Sequence, residues 1–260
     1  MVSSSTISLS SDAATVSRRR TSEHLFFTGL GVVSSLLLFA GFAPTFYLRP
    51  FFRSQDYLIG QALSRDGLRP ILWAHGLVFT LWLALFVVQT LLVATRRTPT
   101  HRRLGVFGGV IAVAIVIVGV ATATELARQM TLGGESADLV ASLFAANLTG
   151  FASFATFVVG GLWHRRRPEL HKRYMALAMI ALLGPGVFRL FAMLGILPPP
   201  FAFVFVGLAA FSVTTFDWLS QRRVYSVSLW GPGLLLLLPV LANTVGALPA
   251  WRTFTAWVVQ

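Results

Sequence analysis

Cysteine is absent from the 260-residue chain, which excludes disulfides, Cys-ligated zinc, iron–sulfur clusters and thiol catalysis. Lysine occurs once, as Lys172, in a loop between apolar runs. A retinal Schiff base needs a lysine inside a span, so a seven-helix rhodopsin is excluded. Charge itself is scarce, at 12% of residues, against about 25% in soluble domains. There is no G-x-S-x-G, no paired-Glu motif of an intramembrane protease, and too few histidines for a di-iron lipid desaturase or hydroxylase.

What the chain has instead is length of apolar run: 55% of residues are hydrophobic. Runs of about 20 such residues cross a bilayer, and the pattern predicts an all-α polytopic membrane protein, a seven-transmembrane helix bundle. The expected spans are 25–48, 70–94, 105–127, 139–163, 174–197, 201–219 and 227–248, so that 25–260 form one transmembrane domain. Residues 1–24, rich in Ser and Thr and ending near Arg18-Arg19-Arg20, read as a disordered cytoplasmic tail. No small-residue cleavage site follows, so the first apolar run reads as a retained helix rather than a signal peptide.

The formal net charge of +12 raises nucleic acid as a partner. It is set aside, because the arginines crowd short loops between apolar runs, where topology alone explains them. The tail holds three Lys/Arg, Thr95–Leu104 four, His164–Arg173 five and Ser220–Ser226 two. The alternate connections hold fewer, mixed with acids. The positive-inside rule then places the N-terminus in the cytoplasm and the C-terminus outside. Phe51, Phe52, Tyr57 and Leu58 are expected along the interface as a short amphipathic segment. A kink is expected at Gly184-Pro185-Gly186 and a tight break at Pro198-Pro199-Pro200.

Orientation fixes depth through the rise of about 1.5 Å per residue. His75, Glu125, Asn147, Arg189 and Asn243 then fall in the outer half, one from each of five spans. An intramembrane arginine marks a functional site by default and needs a partner; Glu125 is the expected one. Two readings stand: these polar groups only hold the bundle together, each contact contributing about 0.6 kcal/mol, or they line a pocket for a small anionic, quinone-like or lipid ligand. On the cytoplasmic side His101, His164 and His171 flank helix ends with Gln89 and Asp217. Neutral histidines ligate haem, so a haem b or quinone-linked redox role is the alternative. Each histidine is embedded in Arg or Lys, which disfavours a further cation, and contact with lipid phosphate explains such loops without a cofactor. Asp217 reads as an ion-pair anchor for Arg222 and Arg223, one turn away.

The order of signatures, Trp73-Ala74-His75-Gly76, His101-Arg102-Arg103-Leu104-Gly105, Arg166-Arg167-Pro168-Glu169-Leu170-His171-Lys172-Arg173-Tyr174-Met175, then Asp217 with Arg222-Arg223-Val224, resembles a family of uncharacterised bacterial multi-pass membrane proteins. The likeness covers roughly residues 25–248. It implies the multi-span layout and no particular activity. Asn147 stands where that pattern commonly has an acidic residue, and Tyr225 where a His often follows the Arg pair.

Overall fold

A computed structural model describes residues 3–52, 69–195 and 201–260 of the chain, with side chains from residue 21 onward apart from Phe203. The tail side chains, Tyr57 and Leu58, and the triple proline lie outside the described residues. The described elements are helical, with no strand among them. They are α1 (Ser3–Phe42), α2 (Pro70–Ala94), α3 (Thr98–Leu132), α4 (Ala137–Trp163), α5 (Pro168–Ala181), α6 (Leu183–Leu194), α7 (Phe201–Phe216), α8 (Ser226–Gly246) and α9 (Pro249–Val258). A wide π-type turn, Ala43–Tyr47, prolongs α1, and another, Asp217–Gln221, prolongs α7.

Among the described residues five stretches are long and apolar enough to cross a membrane: Thr21–Tyr47, α2, α3, α4 and α8. The pair α5 and α6, bent by 40° between them, makes a sixth if it is one span. The expected span 201–219 corresponds to α7, whose 16 residues are fewer than a span needs without the turn that follows it. The short connections between α2 and α3, α3 and α4, α4 and α5, and α7 and α8 reverse the chain direction. One end of the bundle therefore gathers the loops at Arg96-Arg97, Arg165–Arg167 and Arg222-Arg223; we call it the basic end, and the opposite end the far end.

The bend has a local cause. The ring of Pro185 clashes with the carbonyl four residues back and supplies no N–H to it. That carbonyl belongs to Ala181, the last residue of α5, so the break falls before the Gly184-Pro185-Gly186 triplet that produces it.

α5 is the centre of the bundle. It packs against α1, α4, α7 and α8, and five successive residues, Ala176 to Ile180, are 0–1% exposed. A helix apolar on every face is stable only when surrounded. Around it, α1 packs on α2 and α6, α3 lies between α2 and α4, and α8 lies between α4 and α7. Outward-facing side chains remain apolar, among them Val106, Val110, Val113 and Ile117 on α3, as lipid contact requires. Small residues bring backbones together: a Cβ on Gly41 of α1 would overlap the backbone carbonyl of Gly186 in α6.

After α8 the chain turns into α9. The Trp251 indole donates to the Ala141 carbonyl at 3.0 Å, and Arg252 pairs with Asp138 at 3.0 Å. Phe254 and Trp257 face outward. The connection after α1 forms a short helical turn, Arg49–Phe51, in which Phe51 is exposed.

Candidate functional site

Two clusters of polar side chains lie inside the bundle, one toward each end. At the basic end Arg173, in the second turn of α5, is fully buried, and so is Asp217 at the end of α7. The guanidinium grips the carboxylate bidentately: Nε donates to both oxygens at 2.9 and 2.8 Å, and Nη2 makes a further short contact with Oδ1. The Ser228 hydroxyl donates to Oδ2 at 2.6 Å. Nη1 donates to the Glu169 carbonyl at 2.5 Å, and the Tyr225 ring lies 3.9 Å from the guanidinium carbon. Lys172 joins the cluster to α1 through Glu23 at 2.7 Å and to Glu169 at 2.8 Å. Asp217 is thus an ion-pair anchor as expected, but its partner is Arg173, not Arg222 or Arg223. A bidentate fork with every acceptor occupied is the arrangement that lets charge persist away from water.

The far half differs. Glu125 does not meet Arg189. It pairs with Arg69 at 2.6 Å, accepts from Gln129 at 2.8 Å and lies 4.0 Å from Arg128, because it sits toward the rim, about two turns from the end of α3. Arg189 has no carboxylate among the described residues. Its Nη1 donates to the Pro185 carbonyl at 3.0 Å, its guanidinium carbon lies 4.6 Å from the centre of the Phe42 ring, and its Nε is buried without a partner. The side chain of a helical residue leans toward the N-terminus, which carries this charge back along α6 toward the middle of the bundle.

His75 lies within electrostatic range of Arg189. Its ring stacks on Phe79 at 4.1 Å, and its Nδ1 is buried without a partner. Helix register places Asn147 at the same level. α2 and α4 run parallel, Phe79 meets Phe151 at 6.3 Å and Trp82 meets Phe154 at 5.1 Å. One turn further toward the far end on each helix, the same two faces present His75 and Asn147. α3 runs antiparallel beside them with Gly119 against the Phe151 ring, so one turn on from Gly119 comes Thr122. Its Oγ1 is also buried and unpartnered. Thr122 escapes a sequence reading because threonine is tolerated anywhere on a span; its one signal is a position a helical turn from a glycine that admits an aromatic ring.

The far-half cluster is therefore His75, Thr122, Asn147 and Arg189. Asn147 donates to the Leu143 carbonyl of its own helix at 2.8 Å. Asn243 is exposed on α8 and does not join them. An open apolar groove lined by Phe46, Tyr47, Trp73, Ala74, Leu77 and Thr80 lies nearby. Trp73, Leu77 and Thr80 are on the opposite side of α2 from His75, since two residues rotate a helix by about 200°.

Of His101, His164 and His171, expected together at the basic end, two converge. The rings of His101, in the first turn of α3, and His171, in the first turn of α5, have centres 6.2 Å apart. His171 Nδ1 is bonded to the Gly161 carbonyl at 2.8 Å. His164 stands apart, stacked on Tyr174 at 5.3 Å and bonded through Nδ1 to the Gly160 carbonyl. Gln89 donates to the His101 carbonyl at 3.2 Å. No group of three His, Cys, Asp or Glu side chains able to hold a metal ion occurs among the described residues.

No family model matches the chain, and neither a curated protein nor a solved structure matches it. The function must be argued from these two clusters.

Proposed function

We propose that the chain is a seven-span inner-membrane protein, with its basic end in the cytoplasm, whose outer half binds a small ligand bearing an anionic or strongly polar oxygen. Arg189 supplies the charge, and His75, Thr122 and Asn147 supply hydrogen bonds. The short helix α7 with its turn Asp217–Gln221 serves as one of the spans, and the loop arginines set the orientation.

One observation carries this reading: His75 Nδ1, Thr122 Oγ1 and Arg189 Nε are buried and have no partner among the described residues. Leaving such an atom unmet costs about 1–3 kcal/mol, more for a charged group. Arg189 offers donors only, so an oxygen-rich ligand satisfies it, whereas a cation would be repelled. The groups that tie α5 to α7 and α8 satisfy one another; among the described residues these do not.

The test is ligand-dependent melting of the purified protein in detergent, with a fatty acid, a lysophospholipid and a short-chain quinone as probes. A probe that raises the melting temperature of the wild type, and does so no longer in Arg189→Leu, supports the site. If no probe moves the wild type, or the shift survives Arg189→Leu, the reading is wrong.

A further inference from the structure

The imidazole pair at the basic end points to a second site, independent of the ligand site in the far half. We infer that His101 and His171 are the two axial ligands of a b-type haem held at the basic end of the bundle.

The spacing comes first. Two imidazoles bound in trans through metal–nitrogen bonds of about 2 Å, with each ring centre about 1 Å beyond its nitrogen, have their centres about 6 Å apart. The centres of His101 and His171 are 6.2 Å apart, and the ring planes cross at 83°. A tetrahedral ion would draw the rings closer and needs further ligands, and no third His, Cys, Asp or Glu is grouped with them among the described residues.

The second support is the state of the rings. A ligating histidine ordinarily gives its other N–H to a carbonyl, which fixes the tautomer and frees Nε2 for the metal. His171 is held this way by the Gly161 carbonyl at 2.8 Å. Gln89 is already bonded to the backbone of His101 and has a buried Oε1 with no partner, while His101 Nδ1 is likewise buried and unpartnered.

Charge is the third support. Arginine beside a histidine repels a bare dication, but haem carries two propionates. Arg102 and Arg103 follow His101 directly and are exposed at the basic end, where a guanidinium takes a carboxylate bidentately. The basic surroundings that argue against a simple metal ion therefore suit this cofactor.

The experiment is titration of hemin into the purified full-length protein, read by absorbance in the oxidised and dithionite-reduced states. We expect one equivalent to give a six-coordinate low-spin spectrum. His101→Ala and His171→Ala should each abolish it, and His164→Ala should leave it intact. Gln89→Leu should weaken hemin affinity by about 10-fold or more, as loss of an orienting partner does. Should either alanine variant fail to fold, His101→Met and His171→Met replace it, and the expected result is a His/Met spectrum distinct from the wild type. Absence of saturable hemin binding by the wild type, or a spectrum indifferent to both His101 and His171, overturns the assignment.

Discussion

Arg173 and Arg189 lie on the two halves of one bent helix and are treated in opposite ways. Arg173 is sealed against a carboxylate, a serine and an aromatic ring, with no exposure at either charged partner. Arg189 has a backbone carbonyl, a ring and an orphaned Nε. The first is a charge whose needs the chain meets by itself. The second is a charge whose needs the described residues leave open. In an apolar interior an unmet polar group is costly, so its persistence is the more informative of the two. The contrast separates a structural arginine from a binding arginine without reference to any relative.

The largest effect should come from opening the closed pair. Asp217→Asn leaves Arg173 buried opposite a neutral group, and loss of one partner of such a pair costs about 3–5 kcal/mol. The melting temperature in detergent should fall sharply. Replacing both together, Arg173→Met with Asp217→Leu, should recover most of that loss, because no charge is then stranded. A double variant as unstable as the single one would mean that the pair fixes the helix arrangement as well as balancing charge.

Next in size is the hinge region that carries Arg189. Gly41→Ala places a methyl group against the Gly186 backbone, which cannot give way as a flexible side chain would. Overpacking of this kind costs about 1–3 kcal/mol. It should push α6 away from α1, and a disulfide engineered between those helices should then form more slowly. Unchanged stability would show that the two helices are not held at that distance.

Much of this layout is legible in the chain before any fold is seen. Apolar runs and arginine loops mark the helices and their alternation, because both obey the solvent rather than the neighbours. The kink is legible too, though its place shifts from the triplet to Leu182 because a proline acts on the carbonyl four residues back. Partners are not legible. Asp217 lies near Arg222 and Arg223 in sequence, yet its carboxylate reaches Arg173 across the bundle. Glu125 and Arg189 share a half of the bundle, yet Arg69 at the rim takes the carboxylate. Depth comes from counting residues; azimuth, which decides contact, comes from packing. α9 is missed for a related reason, since ten residues make no span and its sense appears only where Trp251 finds the Ala141 carbonyl.

A substitution at the open charge should have the opposite sign. Arg189→Leu removes a charge that nothing among the described residues neutralises, so the ligand-free protein should be no less stable than the wild type, whereas Asp217→Asn is severely destabilised. A large loss in ligand-free Arg189→Leu would mean that its bonds to the Pro185 carbonyl and the Phe42 ring already satisfy it.

A third charge, at the far rim, sets the lower limit. Arg252 meets Asp138 at 3.0 Å with side chains 41% and 67% exposed. An exposed pair gains little from Coulomb attraction and loses side-chain freedom, so its net worth is about 0–1 kcal/mol. Arg252→Ala should therefore move the melting temperature only slightly, and added salt should erase even that difference. The neighbouring Trp251→Phe keeps a ring against Phe144 but loses the bond to the Ala141 carbonyl, and should cost about 1 kcal/mol irrespective of salt. If Arg252→Ala proved as damaging as Asp217→Asn, burial would not be what distinguishes the charges of this bundle, and the reading of Arg189 would lose its basis.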